Sequence, residues 1–213
     1  MRPFEGIKVL DCTHVLAGPF AAYQLAALGA DVIKVEDPNE PDQARESGSD
    51  MALNKKRMGT GFLTQGSNKR SIALNLKTEG GREALKRLVR DWADVLVESF
   101  RPGVADKLGF GADAARARNP RLVYCSIAAF GQTGPYRDLP AHDLAVQALS
   151  GTVSVNLGPD DRPAMPGVPA ADMAASLMGL SAILMSLLRR EKTGLGDRID
   201  LAMHDCLVAW LPN

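Results

Sequence analysis

The chain has few cysteines, few aromatic residues and no excess of charge of either sign. It contains three cysteines among 213 residues, Cys12, Cys125 and Cys206. Their odd number and wide spacing argue against a disulfide framework and against a zinc site built on cysteine pairs. Cys12 and Cys125 lie in apolar, strand-like stretches, which is typical of buried thiols. This cysteine usage favours a reducing compartment and predicts a cytoplasmic protein.

The charge balance and the hydropathy pattern exclude further classes. Lysine plus arginine and aspartate plus glutamate each number 25, so the formal net charge is zero. A neutral chain does not favour broad capture of nucleic acid or of anionic membranes. No apolar run approaches the roughly 18 residues of a membrane-spanning helix, and the start of the chain lacks the layout of a signal peptide. We expect no metal site, no nucleic-acid partner and no membrane association.

A dinucleotide-binding G-x-G-x-x-G motif is also absent, yet the order of elements is that of an α/β fold. Apolar runs predict strands at 7–12, 31–36, 71–76, 94–97, 122–128 and 198–202. Between them, helical patterns cover 20–28, 78–92, 102–108, 112–118, 143–149 and 174–190. Residues 37–68 interrupt the alternation and are predicted to form a long irregular connection. The pattern predicts a parallel sheet with helices on both faces and a ligand site at the carboxyl ends of the strands.

A few polar residues are candidates for chemistry on their type and position alone. Asp172 precedes an apolar helix, where it could act as an N-cap or, in its ionised form, as a nucleophile. His142 opens a short helix and could be an ordinary surface group or an acid–base catalyst. Phe100 follows a strand and could stack on a purine or belong to the core. Cations near strand ends and turns would suit a phosphorylated ligand or simply face solvent: Lys69, Arg70, Lys77, Arg101 and Lys107.

Six segments cover most of the chain: GIKVLDCTHVLAGPFAAYQLAALGADVIKVE, NKRSIALNLK, ADVLVESFRPGVADKLGF, NPRLVYCSIAAFGQTGPY, HDLAVQALSG and AADMAASLMGLSAILMSLLRREKTGLGDRIDLAMHD. In their shared order and spacing they resemble the class III CoA-transferases of the CaiB/BaiF type, a family that includes α-methylacyl-CoA racemases. The resemblance implies a Rossmann-like large domain over 1–203. It also implies an interlocked homodimer, and 204–213 would begin a linker toward a small second domain that this chain lacks.

The resemblance also implies site residues. Asp172 falls on the aspartate that attacks the acyl-CoA thioester. CoA contacts fall on Leu16, Ala17, Leu74, Asn75, Lys77, Ser99, Phe100, Arg101, Lys107 and Asp143. Three positions depart from the family pattern: Leu16 replaces a polar glutamine, Lys107 replaces an arginine, and Asp37 stands where some members have arginine. Arg45 could then replace the cation missing at position 37.

His142 leaves the activity open between alternatives. Racemases have histidine at this position, where it works opposite the aspartate, whereas many transferases have tyrosine. The residues after Asp172 lack the racemases' glycine run, and Gln147 also favours a transferase. We therefore expect a CoA-transferase acting on an acyl-CoA and a small carboxylic acid, with CoA as substrate and no tightly bound cofactor. A 2-methylacyl-CoA racemase and a non-catalytic CoA-binding fragment are the alternatives.

Overall fold

A six-stranded parallel sheet forms the centre of the molecule. In the computed structural model, which describes residues 2–211, the strands follow the order β3-β2-β1-β4-β5-β6. They are β1 (Lys8–Cys12), β2 (Asp31–Glu36), β3 (Lys69–Ala73), β4 (Val95–Glu98), β5 (Val123–Ala128) and β6 (Arg198–Ala202). This is the strand order of a Rossmann-type doubly wound sheet, so the predicted fold class is confirmed.

Helices cover both faces because the inner strands are apolar on both sides. The helices are α1 (Ala17–Ala27), α2 (Met51–Lys55), α3 (Thr60–Gly66), α4 (Glu79–Asp91), α5 (Val104–Lys107), α6 (Ala112–Arg118), α7 (Asp143–Leu149), α8 (Thr152–Val155), α9 (Ala170–Thr193) and α10 (Met203–Val208). Successive strand residues point to opposite faces. Val9 therefore joins the core beneath α1, α9 and α10, whereas Leu10 joins the core beneath α4 and α6.

The connection over 37–68 is more ordered than its composition predicted. It contains a 3₁₀ turn, Gln43–Glu46, followed by α2 and α3. Asp42 and Asp50 start the 3₁₀ turn and α2, since each side chain accepts a hydrogen bond from a backbone N–H two residues later. These short helices carry no apolar stripe, so periodicity could not detect them.

Strand β3 lies two to three residues earlier than predicted. Its first residues, Lys69 and Arg70, are charged and read as part of a turn. Across the sheet Lys69 Nζ lies 2.7 Å from Asp11 Oδ2, and Arg70 forms a two-bond ion pair with Asp31. Partners distant in sequence therefore compensate the charges of this edge strand.

Helix α9 is the longest helix of the described part of the chain. Its 24 residues are long and apolar enough, by length and composition, to cross a membrane, which the sequence analysis did not predict. The same test is passed by core helices of globular domains, and α9 packs along α1, α10 and the sheet. Its inward face is made of small residues such as Ala174, Ala175 and Gly179. We therefore describe α9 as a core helix of this domain.

The last helix crosses the boundary predicted at residues 203 and 204. Helix α10 spans Met203–Val208, and Cys206 and Leu207 are buried in the core shared with α9. These residues belong to the folded domain rather than to a linker. A second domain beyond it stays a prediction.

Candidate active site

Two adjoining clefts open at the carboxyl ends of the parallel strands, where ligands bind in sheets of this order. The first, named here the β2-side cleft, has a volume of about 300 Å³ and an apolar wall that includes Leu74 and Leu108. The second, the β5-side cleft, has a volume of about 260 Å³ and lies between the segments that follow β1, β4 and β5. His14 and Phe100 line both clefts. One elongated ligand could therefore occupy the two together.

The loop between β1 and α1 separates the clefts and is held by buried charges. Val15 has a φ of +69°, which is unfavourable for a β-branched residue. Its N–H donates to Asp42 Oδ1 at 3.0 Å, and Asp42 Oδ2 lies 3.0 Å from Lys34 Nζ. Lys34 also donates to the backbone carbonyl of Thr13. The strained loop is therefore fixed from below by an ion pair that is almost fully buried.

Six of the predicted CoA contacts line the clefts. Leu74 and Lys77 line the β2-side cleft, and Phe100 lies between the two. The β5-side cleft is lined by Ala17, Ser99 and Arg101. These residues follow β1, β3 and β4, and the sheet order brings them to one edge.

The five other predicted contacts, including Asp143 at the start of α7, line neither cleft. Leu16 is the N-cap of α1, and Lys107 is exposed at the end of α5. Asn75 Oδ1 accepts the N–H of Lys77 and so shapes a turn. Arg45 is engaged in a two-bond ion pair with Glu36 and lies over the ring of Phe62. An arginine held in this way is not available to replace the cation missing at position 37.

Asp172 does not cap its own helix, in contrast to one of the sequence interpretations. It is the third residue of α9, and the N-cap is Pro169, whose side chain has no oxygen. The free N–H groups of Ala171 and Asp172 instead donate to Asp143 Oδ1, at 2.8 and 3.0 Å. Asp143, at the start of α7, therefore caps α9 from a different part of the chain.

Burial dominates the electrostatics of the Asp172 carboxyl group. A helix N-terminus favours an ionised carboxylate, and the sequence analysis expected that form. Burial, together with the negative charge of Asp143, instead raises the pKa of Asp172 to about 7. The proton is therefore held at a pH where an exposed aspartate would have lost it.

Asp172 is not among the residues that line the β5-side cleft, but it is connected to that lining in two directions. One helical turn later on the same face, Ser176 Oγ donates to the carbonyl of Ala17 at 2.6 Å, and Ala17 lines the cleft. On the other side, Asp143 directly follows His142, which lines the same cleft. These two connections, through Ser176 and through Asp143, bring Asp172 close to the β5-side cleft.

The candidate catalytic histidine reaches the same cleft. His142 is the N-cap of α7 and makes no capping hydrogen bond with its side chain. His142 is exposed, and its imidazole ring can contact a ligand bound in the β5-side cleft.

Comparison with known proteins identifies the family. The sequence profile of CoA-transferase family III matches residues 4–213. The chain belongs to this family. Acetyl-CoA:oxalate CoA-transferase from Acetobacter aceti is 42% identical over 212 residues, which cover 99% of this chain and 53% of that protein. Succinate–glutarate CoA-transferase from Agrobacterium fabrum is 40% identical over 214 residues, again 99% of this chain and 53% of that protein.

A solved structure agrees with the family assignment. A CAIB/BAIF family protein from Brucella suis superposes with a TM-score of 0.91 at 38% identity, covering 100% of this chain and 56% of that chain. The resemblance inferred from the sequence motifs is therefore confirmed. The chain spans about half the length of the relatives that it matches.

Sequence reasoning assigned no role to several residues that line the clefts or support them. His14 and Val15 line the clefts, and Arg137 contributes from the segment after β5. The Lys34–Asp42 pair beneath the loop carried no local signal, because its members come from a strand and a distant connection. Asp143 was predicted as a CoA contact, and its capping of α9 could not be inferred from spacing.

Proposed function

We propose that the protein transfers CoA between an acyl-CoA and a small carboxylic acid through covalent intermediates on Asp172. The observation that carries the proposal is the Asp172 carboxyl group, which is half-buried beside the β5-side cleft and paired with no cation among residues 2–211. With a pKa of about 7, it is present in both protonation states near neutral pH. A poorly solvated carboxylate is more basic and attacks a thioester more readily than an exposed one.

The reaction proceeds by two exchanges at a carbonyl carbon. The Asp172 carboxylate attacks the donor thioester, the carbon–sulfur bond breaks, and CoA leaves as a thiolate while a mixed anhydride forms. The thiolate then attacks the aspartyl carbonyl of the anhydride, which releases the donor as a carboxylate and leaves an aspartyl-CoA thioester. The acceptor carboxylate repeats the sequence in reverse and leaves with CoA. No redox step and no net proton transfer are needed, consistent with no tightly bound cofactor.

The two clefts suit the two ends of CoA. Leu74, Leu108 and Phe100 offer an apolar wall and an aromatic ring to the adenine in the β2-side cleft. Arg101 in the β5-side cleft is a cation within reach of the phosphates. Lys77 at the rim of the β2-side cleft is a second one, and it would have to exchange its exposed ion pair with Glu40, at 2.9 Å, for a phosphate. The pantetheine arm would then run past Ser99 and Ala17 toward Asp172.

The test is covalent trapping on Asp172. After incubation with an acyl-CoA, borohydride should reduce the aspartyl thioester, and hydroxylamine should convert it to a hydroxamate. Mass spectrometry should find either adduct on the peptide that contains Asp172. The Asp172→Asn variant is the control and should give neither. Folded protein that moves CoA without an adduct on this peptide would contradict the proposal.

A 2-methylacyl-CoA racemase is the second candidate, and the position of His142 in the β5-side cleft favours it. Racemisation needs two groups that exchange a proton on opposite faces of an α-carbon, and the ring of His142 and the carboxyl group of Asp172 are the available pair. The readout is deuterium incorporation at the α-carbon in D2O without an acceptor acid. CoA exchange without such incorporation would leave the transferase as the function.

We also infer a homodimer in the cytoplasm. Exposed apolar side chains lie along the outer side of α9, including Met185 and Leu188, and an isolated domain gains by covering them. The three cysteines are free and buried, which favours a reducing compartment. Sedimentation of the purified protein should give twice the monomer mass.

A further inference from the structure

A buried amide connects α7 to the beginning of α9. Gln147 is 1% exposed and lies one helical turn after Asp143. Its Nε2 group donates to Asp143 Oδ2 at 2.5 Å and to the carbonyl of Val168 at 3.0 Å. Val168 directly precedes the N-cap Pro169. One side chain therefore holds both the capping carboxylate of α9 and the segment that leads into this helix.

The two acceptors determine the orientation of the amide. A carboxylate oxygen and a backbone carbonyl can only accept, so the amide nitrogen must face both of them. Gln147 Oε1 is left buried without a partner in the described part of the chain. A buried polar atom without a partner is unfavourable by about 1–3 kcal/mol. The two donated bonds have to offset this loss, and an apolar side chain would avoid it.

The hydrogen bond from Gln147 restricts the carboxylate of Asp143, which both caps α9 and places a negative charge near Asp172. Asp143 Oδ1 accepts from the N–H groups of Ala171 and Asp172, and Oδ2 accepts from Gln147. A carboxylate held at both oxygens cannot rotate about its side-chain bonds. Its negative charge therefore remains at one place, beside the side chain of Asp172.

We propose that Gln147 is a positioning residue for the reactive carboxyl group. By fixing the Asp143 side chain, it keeps α9 capped and sets the charge that faces Asp172. This inference rests on the proposed role of Asp172 and extends it by one residue that contacts no substrate. Burial is the larger cause of the raised pKa of Asp172, and among the described residues Asp143 is the charged group whose field raises it further.

The test substitutes Gln147→Met, which keeps the length of the side chain and removes both donated bonds. The Asp143 carboxylate can then turn away, and the pKa of Asp172 should fall by about half a unit or more. Carbon-13 NMR of labelled aspartate in the substrate-free protein measures this pKa, with Asp172→Asn assigning the signal. The matched control is Gln132→Met, which removes the amide bond to Ser126 Oγ at 2.7 Å in another part of the sheet edge. It should leave the pKa of Asp172 unchanged.

A purely structural role of Gln147 would lower stability in the Met variant without moving this pKa, and that result overturns the proposal. If the Gln147→Met variant does not fold, the proposal is tested on the wild-type protein by following the side-chain amide signals of Gln147 with pH. The side-chain amide signals of Gln147 should then titrate with the midpoint of Asp172, and signals that stay constant from pH 5 to pH 9 contradict the proposal. Because these titrations need no substrate, they are independent of the trapping experiment. CoA transfer without a covalent adduct on Asp172 would reject the covalent mechanism and leave the positioning result intact.

Discussion

Two aspartates of this domain, the buried Asp11 and the half-buried Asp172, have opposite electrostatic environments. Asp11, in β1, is fully buried, and burial alone would raise its pKa. Lys34 and Lys69 nevertheless hold the pKa of Asp11 at about 2, and Lys69 Nζ lies 2.7 Å from its carboxylate. Asp172, at the start of α9, has no cation among the described residues to offset burial, and burial together with the carboxylate of Asp143 raises its pKa to about 7.

The sign of the neighbouring charge, rather than the depth of burial, separates these two regions. The cluster of Asp11, Lys34, Asp42 and Lys69 compensates its own charges and fixes a loop. The Asp143–Asp172 pair leaves one carboxyl group without compensation beside a cleft. Perturbed and uncompensated carboxyl groups are characteristic of reactive sites, whereas compensated ones are characteristic of structural sites.

The largest effect is expected from removing one cation of the compensated cluster. Lys34→Met would leave the carboxylates of Asp11 and Asp42 short of a partner, and breaking a buried ion pair destabilises a protein by about 3–5 kcal/mol. Denaturant unfolding measures the change. Lys86→Met, at a more exposed pair with Glu83, is the control and should change stability by less than about 1 kcal/mol. Equal losses in the free energy of unfolding in the two variants would show that the buried cluster is no more important for stability than an exposed ion pair.

A smaller effect is expected from the pH dependence of stability at Asp172. Its folded-state pKa, about 7, lies above the ordinary value of 3.8. The folded protein therefore binds this proton more tightly than the unfolded chain. The resulting stabilisation is complete below about pH 4 and is lost as the pH rises through 7.

Because an asparagine cannot titrate, the Asp172→Asn variant should gain stability relative to the wild type by about 2–4 kcal/mol between pH 4 and pH 8. Unfolding free energies across this range measure the gain. Asp138→Asn, at an exposed position, is the control and should run parallel to the wild type. Parallel curves for Asp172→Asn as well would show that this carboxyl group is not perturbed.

The smallest of the three effects is expected from removing the negative charge of Asp143, which separates the contribution of this charge to the pKa of Asp172 from that of burial. Asp143→Asn keeps an oxygen that can cap α9 but removes the negative charge beside Asp172. The pKa of Asp172 should fall by about one unit, and the pH midpoint of covalent trapping should fall with it. The stability loss should stay near 1 kcal/mol. A midpoint that does not change would assign the whole perturbation to burial.

Local sequence signals were sufficient for most of the fold. The buried strands β1, β2 and β5 were predicted within one residue, because their apolar runs are bounded by turn residues. Helix α4 begins as predicted, with Thr78 accepting the N–H of Gly81. Helix α9 continues to Thr193, three residues beyond the predicted end at 190, and stops at Gly194, which adopts a φ of +73°.

Features that depend on distant partners could not be predicted. Lys69 read as a turn residue, since its partner Asp11 lies 58 positions earlier. The start of α9 was placed too late because the carboxylate that caps it belongs to α7. Arg45 was a candidate to replace the cation missing at position 37, and only the folded chain brings it to Glu36. In each case the charge was visible in the sequence and its partner was not.

The hydrogen bond from Ser176 to the carbonyl of Ala17 joins residues that are 159 positions apart. Contacts of such long sequence separation form late, because a large loop must close before they return any free energy. A nascent chain on the ribosome can build β1 through β5 before Ser176 has been synthesised. We therefore expect the contact between α9 and the first loop to form late in folding, and a chain stalled earlier has five of the six strands but no site.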